Sequence, residues 1–180
     1  KLIWRQRLAS SDYRIAGNNR IISAWPLRTG ILVRDGIAYA GAGMFPSEGV
    51  HVVAFNANDG KEKWRTTQTD LPAQGYMLLS KSRVYVPAGR NNPVVFDQAS
   101  GKIVHKVSAS ADTFTLIKWN EKPLPNPRQS GRMIGLVEGE KQDSYATFTG
   151  NRMIVDGGKS YLQAHRELSV LDRARYLELE

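Results

Sequence analysis

From Gly30 to Trp64 the chain alternates short apolar stretches with polar breaks. Ile31-Leu32-Val33 gives way to Arg34-Asp35-Gly36, and Ile37-Ala38-Tyr39-Ala40 to a glycine-rich break. Val50 to Phe55 then runs into Asn58-Asp59-Gly60, and a last stretch ends at Trp64-Arg65. Short apolar runs bounded by turn residues read as β-strands. The pattern predicts strands over Gly30–Arg34, Ile37–Ala42, Val50–Ala57 and Glu62–Thr67. Asp35-Gly36 between β-formers predicts a tight hairpin turn, in which both central residues need positive φ. The third strand is apolar at successive positions, so both of its faces are expected to be buried.

The same pattern returns. Val52–Trp64 aligns with Pro93–His105 at an offset of 41 residues, with Phe55 over Phe96, Asn56 over Asp97 and Gly60-Lys61 over Gly101-Lys102. Upstream, Gly30–Gly43 aligns with Tyr76–Gly89 at an offset of 46, with Tyr39 over Tyr85. The difference places five extra residues of the first unit between Gly43 and Val52. Weaker copies follow. Gly135-Leu136-Val137-Glu138 and Ser144–Phe148 form one; Asn151–Gly158, Ser160-Tyr161-Leu162 and Glu167–Asp172 form another, with Tyr161 and Asp172 in the places of Tyr85 and Asp97. Leu2-Ile3-Trp4-Arg5 resembles Glu62-Lys63-Trp64-Arg65, the last strand of a unit.

A small four-stranded sheet buried on both faces must be stacked between copies of itself, and a radial stack of such sheets is a propeller. The expected fold class is therefore all-β: a β-propeller segment of about four four-stranded antiparallel blades forming a partial ring. Blades are expected at about 28–67, 71–108, 112–149 and 151–180, with residues 1–7 as the end strand of a preceding blade. A single β-sandwich is the alternative, and the self-match at 41 residues argues against it. At the end of the chain the alignment favours a strand over 167–172. Residues 173–180 read either as a fourth strand or as a helix.

Composition narrows the function classes. Cysteine is absent, which excludes disulfides, thiolate metal sites and a cysteine nucleophile. No apolar run reaches the roughly 20 residues needed to span a bilayer. The formal net charge is +8, but the cations are scattered, so a solvated basic face is expected ahead of a nucleic-acid interface. His51, His105 and His165 fall in different repeats without metal-ligand spacing, and packing roles are expected for them. Gly41-Ala42-Gly43 precedes no helix start and recurs at Ala88-Gly89, so it reads as architecture rather than as a phosphate loop.

Ala54-Phe55-Asn56-Ala57-Asn58-Asp59-Gly60-Lys61-Glu62-Lys63-Trp64 resembles the tryptophan-docking repeat of the pyrroloquinoline-quinone-like (quinoprotein dehydrogenase-like) propellers. That family includes quinone-dependent alcohol dehydrogenases. It also includes the non-catalytic propeller of the outer-membrane β-barrel assembly lipoprotein, to which this chain is closer. The resemblance implies that Trp4 and Trp64 wedge between blades, with His105 and Ala146 in the corresponding places of later copies. The family's enzymes carry adjacent cysteines and an acidic cluster around calcium. The cysteines are missing here and no such cluster is identified, so no catalytic residue and no metal ligand is assigned. The resemblance implies a non-catalytic binding or scaffolding module of a bacterial, periplasmic or otherwise extracytoplasmic protein. Its partners would be another protein or further blades of the same propeller, with self-association a further expectation. The alternative is a fragment of an alcohol or sugar dehydrogenase, which would need pyrroloquinoline quinone with calcium. As it stands, the chain is read as not an enzyme.

One face is a candidate for ligands. In a propeller, the loops between second and third strands share a face with the segments leading into each first strand, and loops of several blades converge there. The segments concerned are 44–49, 90–92, 28–29, 72–75 and 111–113. Arg28, Gln74 and Arg90 are the candidate ligand-face residues, expected in one patch.

Overall fold

In the computed structural model the described residues are 1–17, 19–89 and 91–107, followed by 117–118, 132–137, 143–149, 152–156, 158–163, 166–172 and 175. The strands are β1 (Arg14–Gly17), β2 (Arg20–Ser23), β3 (Leu27–Arg34), β4 (Ile37–Ala42), β5 (Val50–Asn56) and β6 (Glu62–Gln68). They continue with β7 (Leu78–Leu79), β8 (Arg83–Ala88), β9 (Asn91–Asp97), β10 (Ile103–Lys106) and β11 (Ile117–Lys118). Last come β12 (Arg132–Val137), β13 (Asp143–Thr149), β14 (Arg152–Asp156), β15 (Lys159–Gln163) and β16 (Leu168–Asp172).

Strands β3-β4-β5-β6 form sheet I and β7-β8-β9-β10 form sheet II, both four-stranded with sequential neighbours. Sheets III (β11-β12-β13) and IV (β14-β15-β16) show three strands each among the described residues. Every pairing within these sheets is antiparallel. This is a partial β-propeller.

Register shows that the sheets are copies of one unit. Tyr39 pairs with Ala54, Tyr85 with Val95 and Tyr161 with Val170. Likewise Ile37 faces Asn56, Arg83 faces Asp97 and Lys159 faces Asp172. All are equivalent positions of the sequence repeat, so the extra residues after Gly43 are absorbed without shifting the ladder. They form a short 3₁₀ turn, Pro46–Glu48, closed by Gly49 N–H to the Pro46 carbonyl at 2.9 Å.

The turns repeat as well. Asp35 and Gly36 adopt φ of 50° and 72°, the positive values that the two-residue hairpin demands. Asn56 N donates to Lys61 O and Gly60 N to Asn56 O; Asp97 N donates to Lys102 O and Gly101 N to Asp97 O. Ala57 N reaches Gly36 O just as Gln98 N reaches Ser82 O, tying each late turn to the first hairpin of its own sheet.

Antiparallel partners share a face, which assigns every side chain to one of two sides. The front of sheet I (Leu32, Tyr39, Val52, Ala54, Trp64) packs on the back of sheet II (Met77, Val84, Val86, Val94, Phe96) in the main core. The front of sheet II continues with Leu78, Tyr85 and Val95, packed with Val107. Apolar packing on both sides explains the continuous apolar runs in β5 and β9. Phe96, fully buried, contributes about 1.5–3 kcal/mol by that burial alone.

Residues 1–7, expected as the end strand of a preceding blade, pair with no strand among the described residues. The segment 14–23, not foreseen, forms the β1–β2 hairpin, turning through Asn19 at φ 58°. Beyond β16, Arg175 is helical, and its N–H donates to Asp172 Oδ1 at 3.2 Å. The rest of 173–180, the loop positions 111–113 and His165 lie outside the described residues.

Candidate partner-binding face

The β4–β5 loop and the segments leading into β3 and β7 meet on one rim. Gly43 N donates to Pro26 O at 3.1 Å, and Gly43 O accepts from Ala73 N at 3.1 Å. Gly43 therefore joins the two lead-in segments. A Cβ there would sit 3.0 Å from Gly49 O and Val50 Cα, and the residue's φ is 120°, so only glycine fits. Gln68 Nε2 donates to Leu71 O at 3.0 Å and fixes the exit from sheet I.

Arg28 lies exposed on β3, and its carbonyl accepts from Gly75 N at 3.1 Å. Gln74 forms an isolated bridge with Ala88: its N–H donates to Pro87 O at 2.9 Å, and its carbonyl accepts from Gly89 N at 3.1 Å. The backbone at 28, 74–75 and 87–89 is thus one continuous rim. Arg90 lies outside the described residues. No acidic side chain pairs with Arg28 among the described residues.

The structure adds two residues that the sequence reading passed over. Tyr76 is 52% exposed and Leu27 47% exposed, both beside Arg28. The Tyr76 ring lies over Gly30 on β3, 3.4 Å from where a Cβ would stand, and the φ of 68° at Gly30 is what favours glycine there. In the repeat alignment Tyr76 stood as a strand residue; its exposure follows from β7 starting only at Leu78. Arginine and tyrosine are among the residue types that protein interfaces favour at their centres.

The neighbouring N-terminal segment is pinned to sheet I. Trp25 Nε1 donates to Glu48 O at 2.9 Å and its ring lies 6.2 Å from His51. His51 is buried, with Nε2 2.8 Å from Ser10 Oγ and Nδ1 3.0 Å from Thr67 Oγ1. Burial lowers its pKa below the ordinary value; the nearby Arg65 guanidinium acts in the same sense, and Glu62 opposes. Arg65 holds Glu62 bidentately and donates to Leu8 O at 2.7 Å. His51 is thus a packing residue with satisfied nitrogens. His105 is half-buried on β10. Among the described residues no three His, Cys, Asp or Glu side chains gather as a metal-binding group.

Trp4 and Trp64 occupy equivalent places. Trp64 Nε1 donates to Gln98 O at 3.0 Å, and Trp4 Nε1 to Ala57 O at 2.9 Å. Thr66 Oγ1 donates to Gly101 O, and Gln6 Nε2 to Gly60 O. Each tryptophan is thereby held by the late turn of the sheet that follows it.

The sequence profile of the family described as outer membrane protein assembly factor BamB matches residues 1–154. The chain belongs to the BamB family. Its register-matched sheets are the structural expression of that family's repeat. Among solved structures, BamB from Moraxella catarrhalis is similar with TM-score 0.54 and 15% identity, over 89% of this chain and 49% of that one. The chain thus spans about half the length of that BamB. The computationally designed Ika4 protein matches with TM-score 0.48 and 11% identity over 94% of this chain and 99% of its own. A europium-containing methanol dehydrogenase matches with TM-score 0.39 and 15% identity over 93% and 25%. No curated protein matches this chain. No helix among the described residues is long and apolar enough to cross a membrane.

Proposed function

We propose that the chain is a non-catalytic binding module that presents the rim around Arg28, Gln74 and Tyr76 to a protein partner. The observation that carries this reading is the family match over residues 1–154, together with a rim whose backbone joins the exposed Arg28 to the segment carrying the exposed Tyr76. The printed family description concerns assembly of outer membrane proteins. We extend it to this chain as an extracytoplasmic role in a bacterial envelope, in contact with the assembly apparatus. Trp4 and Trp64 serve as the docking tryptophans that hold successive blades in line, which keeps the rim rigid.

Site-specific photocrosslinking tests the reading. A photoreactive residue replacing Arg28 or Tyr76 should give adducts with an envelope assembly protein, and one replacing the exposed Lys61 should not. Adducts of equal yield at all three positions would remove the rim from the proposal. Tight binding of pyrroloquinoline quinone in the presence of calcium would instead support the dehydrogenase reading.

A further inference from the structure

Among the described residues the chain has two Asp-Gly steps, Asp35-Gly36 and Asp59-Gly60, and the fold treats them differently. Glycine has no side chain to hinder attack of its amide nitrogen on the preceding aspartyl Cγ, so such a step can rearrange. The attack needs an uncommitted nitrogen, an uncommitted carboxyl group and room for the backbone to turn. Asp59-Gly60 meets none of these needs. Asp59 Oδ1 accepts from Lys61 N at 2.9 Å, and Gly60 N donates to Asn56 O at 2.9 Å. The Trp4 ring covers Gly60, where a Cβ would lie 2.7 Å from the ring's Cδ2 and Cε3.

Asp35-Gly36 meets all three. The Asp35 side chain is 84% exposed, with Arg34 Nε 3.5 Å from its Oδ2. Gly36 N donates to no acceptor among the described residues. Nothing lies within 4 Å of where a Cβ at Gly36 would stand. The equivalent turn of sheet II is Lys81-Ser82, which has no aspartate.

We propose that Asp35-Gly36, and not Asp59-Gly60, rearranges to isoaspartate in the folded chain. The Gly36 nitrogen attacks Asp35 Cγ. The N–Cγ bond forms, and the amide proton and the Cγ hydroxyl leave as water. Water then opens the resulting succinimide. Opening at Cγ restores aspartate. Opening at the main-chain carbonyl carbon of Asp35 breaks its bond to nitrogen, so the chain now runs through Cγ and carries a free α-carboxylate. Nothing is oxidised or reduced, and the water lost is regained. The product has an extra methylene in a two-residue turn. That methylene displaces Gly36 O, which accepts from Ala57 N at 2.8 Å, and Ala57 O in turn holds Trp4 Nε1 at 2.9 Å. The rearrangement therefore reaches the turn that holds Trp4. The inference is independent of the partner-binding role.

Ring closure needs the carboxyl group protonated, so the chain is aged at mildly acidic pH, once folded and once unfolded in guanidinium. An isoaspartyl methyltransferase, which esterifies the new α-carboxylate from labelled S-adenosylmethionine, counts the product. A protease that cuts before aspartate but not before isoaspartate locates it. In the folded chain, cleavage before residue 35 should be lost several-fold faster than cleavage before residue 59. In the unfolded chain the two should be lost at matching rates. A folded chain that ages equally at both steps, or keeps full cleavage before residue 35, overturns the inference. Asp35→Asn suits this hairpin turn and closes the same ring with loss of ammonia in place of water. The folded variant should take up methyl label faster than the unmodified chain, and a variant that takes up no more overturns the inference too. Amide exchange at Ala57 should be faster in the isoaspartyl fraction than in the intact chain; equal exchange would overturn the link to Trp4.

Discussion

The Trp64 ring fills the space that a side chain at Gly101 would need. A Cβ built at position 101 falls inside 3.0 Å of the ring's Cδ2 and Cε3 atoms, and Gly101 is itself at φ 71°. Sheet I and sheet II therefore meet through an aromatic ring on a bare backbone, locked by the Trp64 Nε1 bond to Gln98 O. Gln98 reaches back as well, its Nε2 donating to the Tyr39 hydroxyl at 3.0 Å. Gly101→Ala should thus destabilise the chain by on the order of 2–4 kcal/mol, from overpacking plus a left-handed alanine. Gly36→Ala has a similar φ but open space around it, and should cost only about 1–2 kcal/mol. Urea denaturation of the two variants measures the difference; equal losses would show that the ring contact contributes nothing.

The fold was legible because the unit repeats. One Asp-Gly turn, one Gly-Lys turn and an aromatic pair recur at fixed spacing, and each of those residues has a backbone or packing duty that other residue types meet poorly. The β1–β2 hairpin was not legible: Arg14–Gly17 and Arg20–Ser23 have no counterpart in the other units, and the pair turns through Asn19 rather than an Asp-Gly signal. The unpaired state of residues 1–7 was hidden for a different reason. A strand sequence states a preference, and only a neighbouring strand satisfies it. At the candidate site, loop position points to Arg28 and Gln74, whereas the strand pattern absorbs Tyr76. Its exposure depends on where β7 begins, which a stretch of Met77-Leu78-Leu79 does not reveal.

His51 makes stability depend on pH near neutrality. Its folded pKa lies below the ordinary 6.5, chiefly through burial, so the unfolded chain binds the proton more readily. Stability from this group is complete above the unfolded value. It declines as pH falls from there toward the lowered folded value, where protonation of the native state ends the decline. Denaturation midpoints should fall between about pH 7.5 and about pH 5.5. His51→Gln, which keeps a polar side chain between Ser10 and Thr67, should flatten this part of the profile. An unchanged slope in the variant would assign the effect elsewhere.

Asp97 governs a lower window. Its pKa is depressed below 3.8, first by the Ser100 hydroxyl, then by the Ser100 N–H, with Arg83 adding to both. Its contribution is present above the unfolded value and is lost as pH falls through the folded one. Asp97→Asn should remove that acid limb. The loss at neutral pH should stay within about 1 kcal/mol, since the Arg83 pair is partly solvated. Asn56 occupies the equivalent turn in sheet I and accepts from Asn58 N at 2.9 Å, so asparagine suits the backbone there. Chemical denaturation between acidic and neutral pH reads both effects.

The rim around Arg28 depends on a hydroxyl one residue away. Pairing of β3 with β4 is irregular between Leu27 and Ile31, where Gly30 takes φ 68°. At that irregularity Gly41 N donates to Thr29 Oγ1 at 2.8 Å, and the same hydroxyl lies 2.9 Å from Gly30 O and 3.2 Å from Gly41 O. Thr29 is buried, and its methyl group occupies the space over Gly41. Thr29→Val keeps the shape but leaves the Gly41 N–H without its acceptor, which should cost about 1–3 kcal/mol. Thr29→Ser keeps the hydroxyl and loses only the methyl group, so it should cost less than the valine variant. Because Thr29 stands between Arg28 and Gly30, the valine variant should also loosen the Arg28–Gly75 backbone contact. Faster amide exchange at Gly41 and Gly75 in Thr29→Val than in Thr29→Ser would locate the effect at the rim. Equal exchange in the two would mean that packing, and not the hydroxyl, holds this part of the face.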